Sequence, residues 1–117
     1  MPGAKIHDKD MTHTVEISLR IPSLRARREG QENAATIAND GVRFIKHVDL
    51  EAVPQKGDVL TMTVGAGGTF RCEVVMSEWH HEKNMFVTAC RYSKRSISEV
   101  EYRALMDAPD WQVRAIL

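Results

Sequence analysis

The sequence predicts a mainly β fold, a small antiparallel five- to six-stranded barrel or strongly curled sheet, capped by a short C-terminal helix. Three observations lead there. Between residues 12 and 92 apolar and polar residues alternate with the two-residue period of half-buried strands. Pro, Gly, Asn and Asp punctuate this stretch at intervals of roughly 8 to 15 residues, with no helical segment between strands to serve as a parallel crossover. Only after residue 97 does the pattern turn helical.

Each element follows from its residues. Residues 1–11 mix charges with Pro2 and Gly3 and show no period, which predicts a flexible tail before a single domain over 12–117. Val15, Ile17, Leu19 and Ile21 alternate with Thr14, Glu16, Ser18 and Arg20 as a strand that Pro22 ends. Ser23 to Asn33, with Arg25, Arg27, Arg28 and Gly30, reads as an exposed loop. Asp40-Gly41 suits a type I′ turn between Ala35/Ile37 and Val42/Phe44, and predicts a hairpin there. In Pro54-Gln55-Lys56-Gly57-Asp58, Pro54 fixes φ, Gly57 permits the turn and Asp58 bonds back to the backbone. A strand from Val59 to Val64 follows.

Gly65, Gly67 and Gly68 join that strand to the next. They lack the Lys-Ser/Thr ending and the following helix of a phosphate loop. Phe70, Cys72, Val74 and Met76 then share one face, against Arg71, Glu73, Val75 and Ser77. Met85 to Tyr92 returns after a break centred on Glu82-Lys83-Asn84, forming a hairpin whose register the sequence leaves open. Ser98 with Glu101 makes a capping box, and Val100, Tyr102, Leu105 and Met106 supply the apolar stripe of a helix. Pro109 predicts a second short helical segment over Asp110 to Val113 carrying Trp111, and Ala115 to Leu117 should pack back on the sheet. The Pro-x-x-Gly-Asp turn resembles that of many small five-stranded barrels, a likeness of architecture that implies no activity.

Composition narrows the function. At 117 residues, Lys plus Arg equals Asp plus Glu at 16 each, so the formal net charge is zero and the basic footprint of a general nucleic-acid binder is missing. Hydrophobic content of 43% and charged content of 27% describe a chain that folds. No run approaches the roughly 18 apolar residues of a membrane span, and the first residues lack the apolar core of a secretory signal, so the expectation is a cytoplasmic protein with no membrane association. Cys72 and Cys90 have no CxxC partner and read as small buried hydrophobes, not as nucleophile or zinc ligands.

The segment Ser77 to Phe86, SEWHHEKNMF, gathers a tryptophan, two histidines and two glutamates. Strand alternation sets Trp79 and His81 on one face and Glu78 and His80 on the other, which counts against a shared metal. The segment reads as a polar hairpin tip framed by Trp79, Met85 and Phe86. Together with Trp111 these residues suit a protein partner or a second copy of the chain. Trp111 has the competing role of sealing the end of the barrel.

The leading expectation is therefore a small, non-catalytic binding or assembly module without cofactor, acting through protein–protein interaction or self-association. The alternative is a nucleic-acid-binding barrel that uses Arg91, Lys94 and Arg95 with Tyr92 as a stacking face. A metal-dependent or acid–base enzyme built on Glu78, His80 and His81 stands third.

Overall fold

The computed structural model describes residues 12–26, 35–39, 41–65 and 68–115. The expected tail over 1–11, Arg27, Arg28, Gly30, Asp40, Gly67, Ile116 and Leu117 lie outside the described residues. The elements run β1 (His13–Arg20), β2 (Ser23–Ala26), β3 (Ala35–Ala38), β4 (Val42–Leu50), β5 (Val59–Val64), β6 (Gly68–His80), β7 (Met85–Tyr92), β8 (Ile97–Ser98), α1 (Glu99–Asp107) and β9 (Gln112–Ala115). Six strands form one sheet in the order β5-β6-β7-β1-β4-β9, curled into a half-barrel, and β3-β2-β8 form a second, smaller sheet. The mainly β fold with a short C-terminal helix is the one the alternation predicts.

Pairing is antiparallel with two departures. β1 runs parallel to β7, and β2 parallel to β8. The long stretch from β2 to β6 gives the chain room for the crossover that a parallel β1–β7 pair requires. β1 is consequently a central strand, bonded to β4 on one side and β7 on the other. Its apolar face, Val15, Ile17 and Leu19, is fully buried and packs with Phe44, Val74 and Cys90 in the core.

Three local expectations give way to tertiary pairing, and a fourth to exposure. Ser23–Ala26 is a strand and not loop, because β8 and β3 take its two edges. The hairpin across Asp40-Gly41 does not form: β3 pairs with β2 while β4 pairs with β1, so the chain changes sheets there. Asn39 fastens the change, its backbone N–H donating to Pro22 O at 2.9 Å and its Nδ2 to Ile21 O at 3.2 Å. The Asp110–Val113 helical segment is replaced by a turn and by β9, whose Gln112 to Ala115 complete the sheet edge beside β4. In α1 the buried stripe is narrower than expected. Leu105 is buried and Tyr102 meets Phe44 edge-on at 5.6 Å, but Val100 is 81% exposed.

The capping box forms with one difference. Ser98 Oγ accepts from Glu101 N at 3.2 Å, as expected, but the Glu101 carboxylate takes the Ser98 hydroxyl at 2.8 Å and the Tyr92 hydroxyl at 3.3 Å. The cap thereby ties the helix start to the end of β7.

Trp111 plugs the open end of the half-barrel. It is 5% exposed, its Nε1 donates to Thr63 O at 2.9 Å, Phe70 lies 5.7 Å from its ring, and Lys46 Nζ stands 5.3 Å over it. Asp110 completes the lock, accepting from Lys46 Nζ at 3.0 Å and from Gly65 N at 3.2 Å. Trp111 is thus a structural residue rather than part of a surface patch. Trp111→Ala is expected to cost about 3–5 kcal/mol in urea unfolding, the usual range for deleting a large buried aromatic. A loss under about 1 kcal/mol would show that the plug carries little of the fold.

Candidate functional site

The candidate site is the distal half of the β6–β7 hairpin, and its shape comes from one extra residue. Up to Val74 the strand keeps the expected phase, with Cys72 and Val74 buried. A bulge then shifts the register, so that Val74 faces Cys90 but Met76 faces Ala89. The phase inverts beyond it. Met76 turns to the convex side, 45% exposed, and Ser77 and Trp79 turn to the concave side that faces the core.

The inverted phase is satisfied locally. Ser77 Oγ donates to Pro54 O at 2.7 Å and receives the hydroxyl of Thr88 at 2.8 Å, which gives that fully buried threonine its partner. One step further out, Trp79 faces Phe86, their rings nearly perpendicular with centroids 5.2 Å apart. His80 pairs with Met85, and residues 81–84 close the hairpin, with Lys83 N donating to His80 O, Asn84 N to His81 O, and Asn84 in the left-handed region at φ 55°. The register that the sequence left open is settled by this four-residue turn.

Trp79 is 50% exposed although it lies on the core-facing side, because β6 runs on past the end of its neighbour β5. β5 accompanies β6 only as far as the Val59–Glu73 pair, and just beyond it Gly57 N bonds Val74 O while Val74 N bonds Asp58 O. Among the described residues no strand pairs with that side of β6 after Val74. An open recess of about 750 Å³ lies there, lined by Glu78, Trp79, His80, His81 and Glu82. Its lining comes from the end of β6 and the turn, with no residue of β7.

A buried carboxylate fixes the angle of the hairpin. Glu16 sits on the polar face of β1 yet is only 5% exposed. Its Oε2 accepts from Lys83 Nζ at 2.7 Å, and its Oε1 lies 3.0 Å from Nε2 of His47, the residue directly across on β4. Burial by itself raises this carboxyl, but the hydrogen bonds and charges of Lys83 and His47 outweigh it and hold it below its ordinary value. Lys83 lies 67 positions from Glu16, so nothing in the local pattern of β1 announces the contact.

The other expected site residues do not converge. Arg91 pairs with Glu73 at 3.5 Å on the convex side, and Lys94 and Arg95 are exposed in the bend after β7. Tyr92 lies 3% exposed in the core, tilted against Phe70 at 6.0 Å, which leaves no open face for a base to stack on. His81 stands in the turn and Met85 is half-buried beside His80. No group of three His, Cys, Asp or Glu poised to hold a metal occurs among the described residues, and among them no helix is long and apolar enough to cross a membrane. Cys72 and Cys90 are both buried. Donation of its hydrogen to Cys72, reinforced by burial, pushes the Cys90 thiol up and away from the reactive thiolate.

Comparison with known proteins returned no matching family model, no matching curated protein and no matching solved structure. The reading of the site rests on its geometry.

Two outcomes follow. The unfolded Glu16 carboxyl titrates near 4.5 and the folded one lower, so its contribution is present above that value and fades as pH falls through the folded one. Glu16→Gln is expected to lose about 1–2 kcal/mol near neutral pH, a figure kept low because Lys83 and His47 remain partly solvated. The gap to the wild type should narrow below pH 4.5 in parallel urea titrations, and a gap independent of pH would rule out the charged pairing as its source. Separately, an aromatic disulfide reagent at pH 8 should leave both thiols untouched in the native protein and titrate both once it is unfolded. Rapid reaction of either native thiol would contradict their burial.

Proposed function

We propose that this chain is a small binding or assembly module with no catalytic role, and that it engages a protein partner through the distal β6–β7 hairpin. The observation that carries the reading is Trp79. It is a large aromatic residue half exposed at the mouth of a recess, held by Phe86, beside a length of strand edge with no pairing strand among the described residues. Tryptophans so placed are the residues on which binding energy concentrates, and an open strand edge supplies a row of backbone donors and acceptors to a partner strand.

Two further features support recognition over chemistry. Glu78 and His80 share one face of β6 while His81 leaves the strand at the turn, so the two histidines do not converge, and no third His, Cys, Asp or Glu joins a metal-holding group with them among the described residues. The hairpin is also braced in advance, by the Glu16–Lys83 contact at its tip and the Ser77–Thr88 contact at its root, which lowers the ordering cost of binding. The basic stretch Arg91 to Arg95 supports the nucleic-acid alternative less, since Arg91 is engaged by Glu73 and Tyr92 is enclosed.

The test is quantitative capture of bound partners with wild-type chain, Trp79→Ala and the double variant Lys94→Ala/Arg95→Ala. Trp79→Ala should weaken binding by about thirtyfold, as expected for a hot-spot residue worth about 2 kcal/mol, while the double variant binds as wild type. Equal binding by Trp79→Ala would overturn the assignment, and loss confined to the basic double variant would transfer it to the bend after β7.

A further inference from the structure

The unpaired edge of β6 also has a symmetry that identifies its partner, an inference that rests on the hairpin being the binding surface. We infer that the partner is a second copy of this chain, added antiparallel to β6 across a two-fold axis that passes beside Trp79, so that the two half-barrel sheets become continuous.

The argument begins with which backbone groups are available. Val74 directs both its N–H and its C=O toward the β5 side, where Asp58 and Gly57 take them. Strand alternation, restarted after the bulge, turns the N–H and C=O of Ser77 and Trp79 to that same side. Side-chain geometry on the other side agrees. Ser77 with Thr88 and Trp79 with Phe86 show the close side-chain approach typical of pairs that exchange no backbone hydrogen bonds with each other.

A two-fold antiparallel pairing must then choose its centre, and three are within reach. Centring on Ser77 would set Val75 against Trp79 and carry the partner onto Val74, whose backbone groups are already bonded, where Pro54 also holds Ser77. Centring on Glu78 would set two exposed carboxylates directly opposite one another, which is destabilising. Centring on Trp79 avoids both faults. It pairs the free N–H and C=O of Trp79 with those of its mate, and sets Glu78 against His80 of the second copy, twice by symmetry. On the concave side the two Trp79 rings meet beside the Phe86 rings, filling the recess along each edge. In that register the cross-strand neighbours complement one another in both shape and polarity.

Sedimentation velocity over roughly micromolar to hundreds of micromolar concentrations tests the pairing on the full chain. The wild type should show a concentration-dependent dimer. Glu78→Arg and His80→Glu singly should each weaken it at least tenfold, because the first removes the carboxylate that accepts from His80 and the second sets two carboxylates against each other, and Glu78→Arg/His80→Glu together should restore it. Circular dichroism checks that each variant is folded. Amide hydrogen exchange on the wild type gives a readout free of mutation: the Trp79 N–H should exchange more slowly as concentration rises, whereas the Glu78 N–H, directed at β7, should not change.

A monomer at every concentration overturns the inference, as does a dimer indifferent to both single variants. A monomer whose binding of a different protein still depends on Trp79 overturns the self-pairing while leaving the hairpin as the binding surface. Loss of Trp79-dependent binding altogether removes both.

Discussion

The extra residue at the Val74–Met76 bulge is the constraint on which the shape of the distal hairpin depends. Without it, Met76 would continue the buried row of Cys72 and Val74, and Trp79 would point to the convex side. With it, a polar pair, Ser77 and Thr88, closes the core where the apolar row stops, and an aromatic pair continues the concave face into solvent. A bulge also increases local twist, which turns the distal hairpin away from the line of β5. The same single residue therefore sets both the orientation of Trp79 and the length of β6 that no strand accompanies.

A long hairpin with an open edge needs bracing, since a two-stranded ribbon is marginal by itself in water. The bracing comes from the side opposite the open edge. β7 is bonded to β1 along Val15 to Arg20, and the tip is drawn over the polar face of β1 by Lys83, which reaches the buried Glu16 carboxylate. A charge held at 5% exposure is costly unless it is paired, and here two cationic or hydrogen-bonding partners meet it from different elements, β4 and the turn. The interaction does little to enlarge the core, but it defines one position for the hairpin relative to the half-barrel. Specification of geometry is a better-attested role for buried ion pairs than net stabilisation.

The sequence was legible where structure is local. Alternation located β1, β5, β6 and β7, the capping box marked the start of α1, and adjacency of His80 and His81 argued that they diverge. Each of these follows from a period or from a contact within a few residues. The failures share the opposite property. Ser23–Ala26 becomes a strand because β3 and β8 supply edges, and Asp40-Gly41 does not make its favoured hairpin because β4 pairs with β1 and β3 with β2. Gln112–Ala115 becomes an edge strand beside β4, overriding the helical suggestion of Pro109. The bulge left no local mark, since Val75 and Met76 fit either phase. Glu16 looked like one polar residue among four on a solvated face, and Trp111 was legible only as two competing roles until Thr63 and Lys46 were seen to enclose it.

An open strand edge is ordinarily a liability, and folded proteins blunt such edges with charge, distortion or cover. Here β5 covers the first half of β6, and Pro54 to Asp58 shields the bulge, but protection ends at Ser77. The ionisable side chains that remain on the exposed stretch are of mixed kind, Glu78 and Glu82 with His80 and His81 between them. A uniform row of like charge would repel any approaching strand, its own copy above all. A mixed row disfavours the register in which Glu78 meets Glu78 and admits the one in which acid meets imidazole. That pattern permits pairing in a single alignment while resisting open-ended stacking, because once two copies occupy each other's edge no further edge of β6 is left to recruit a third.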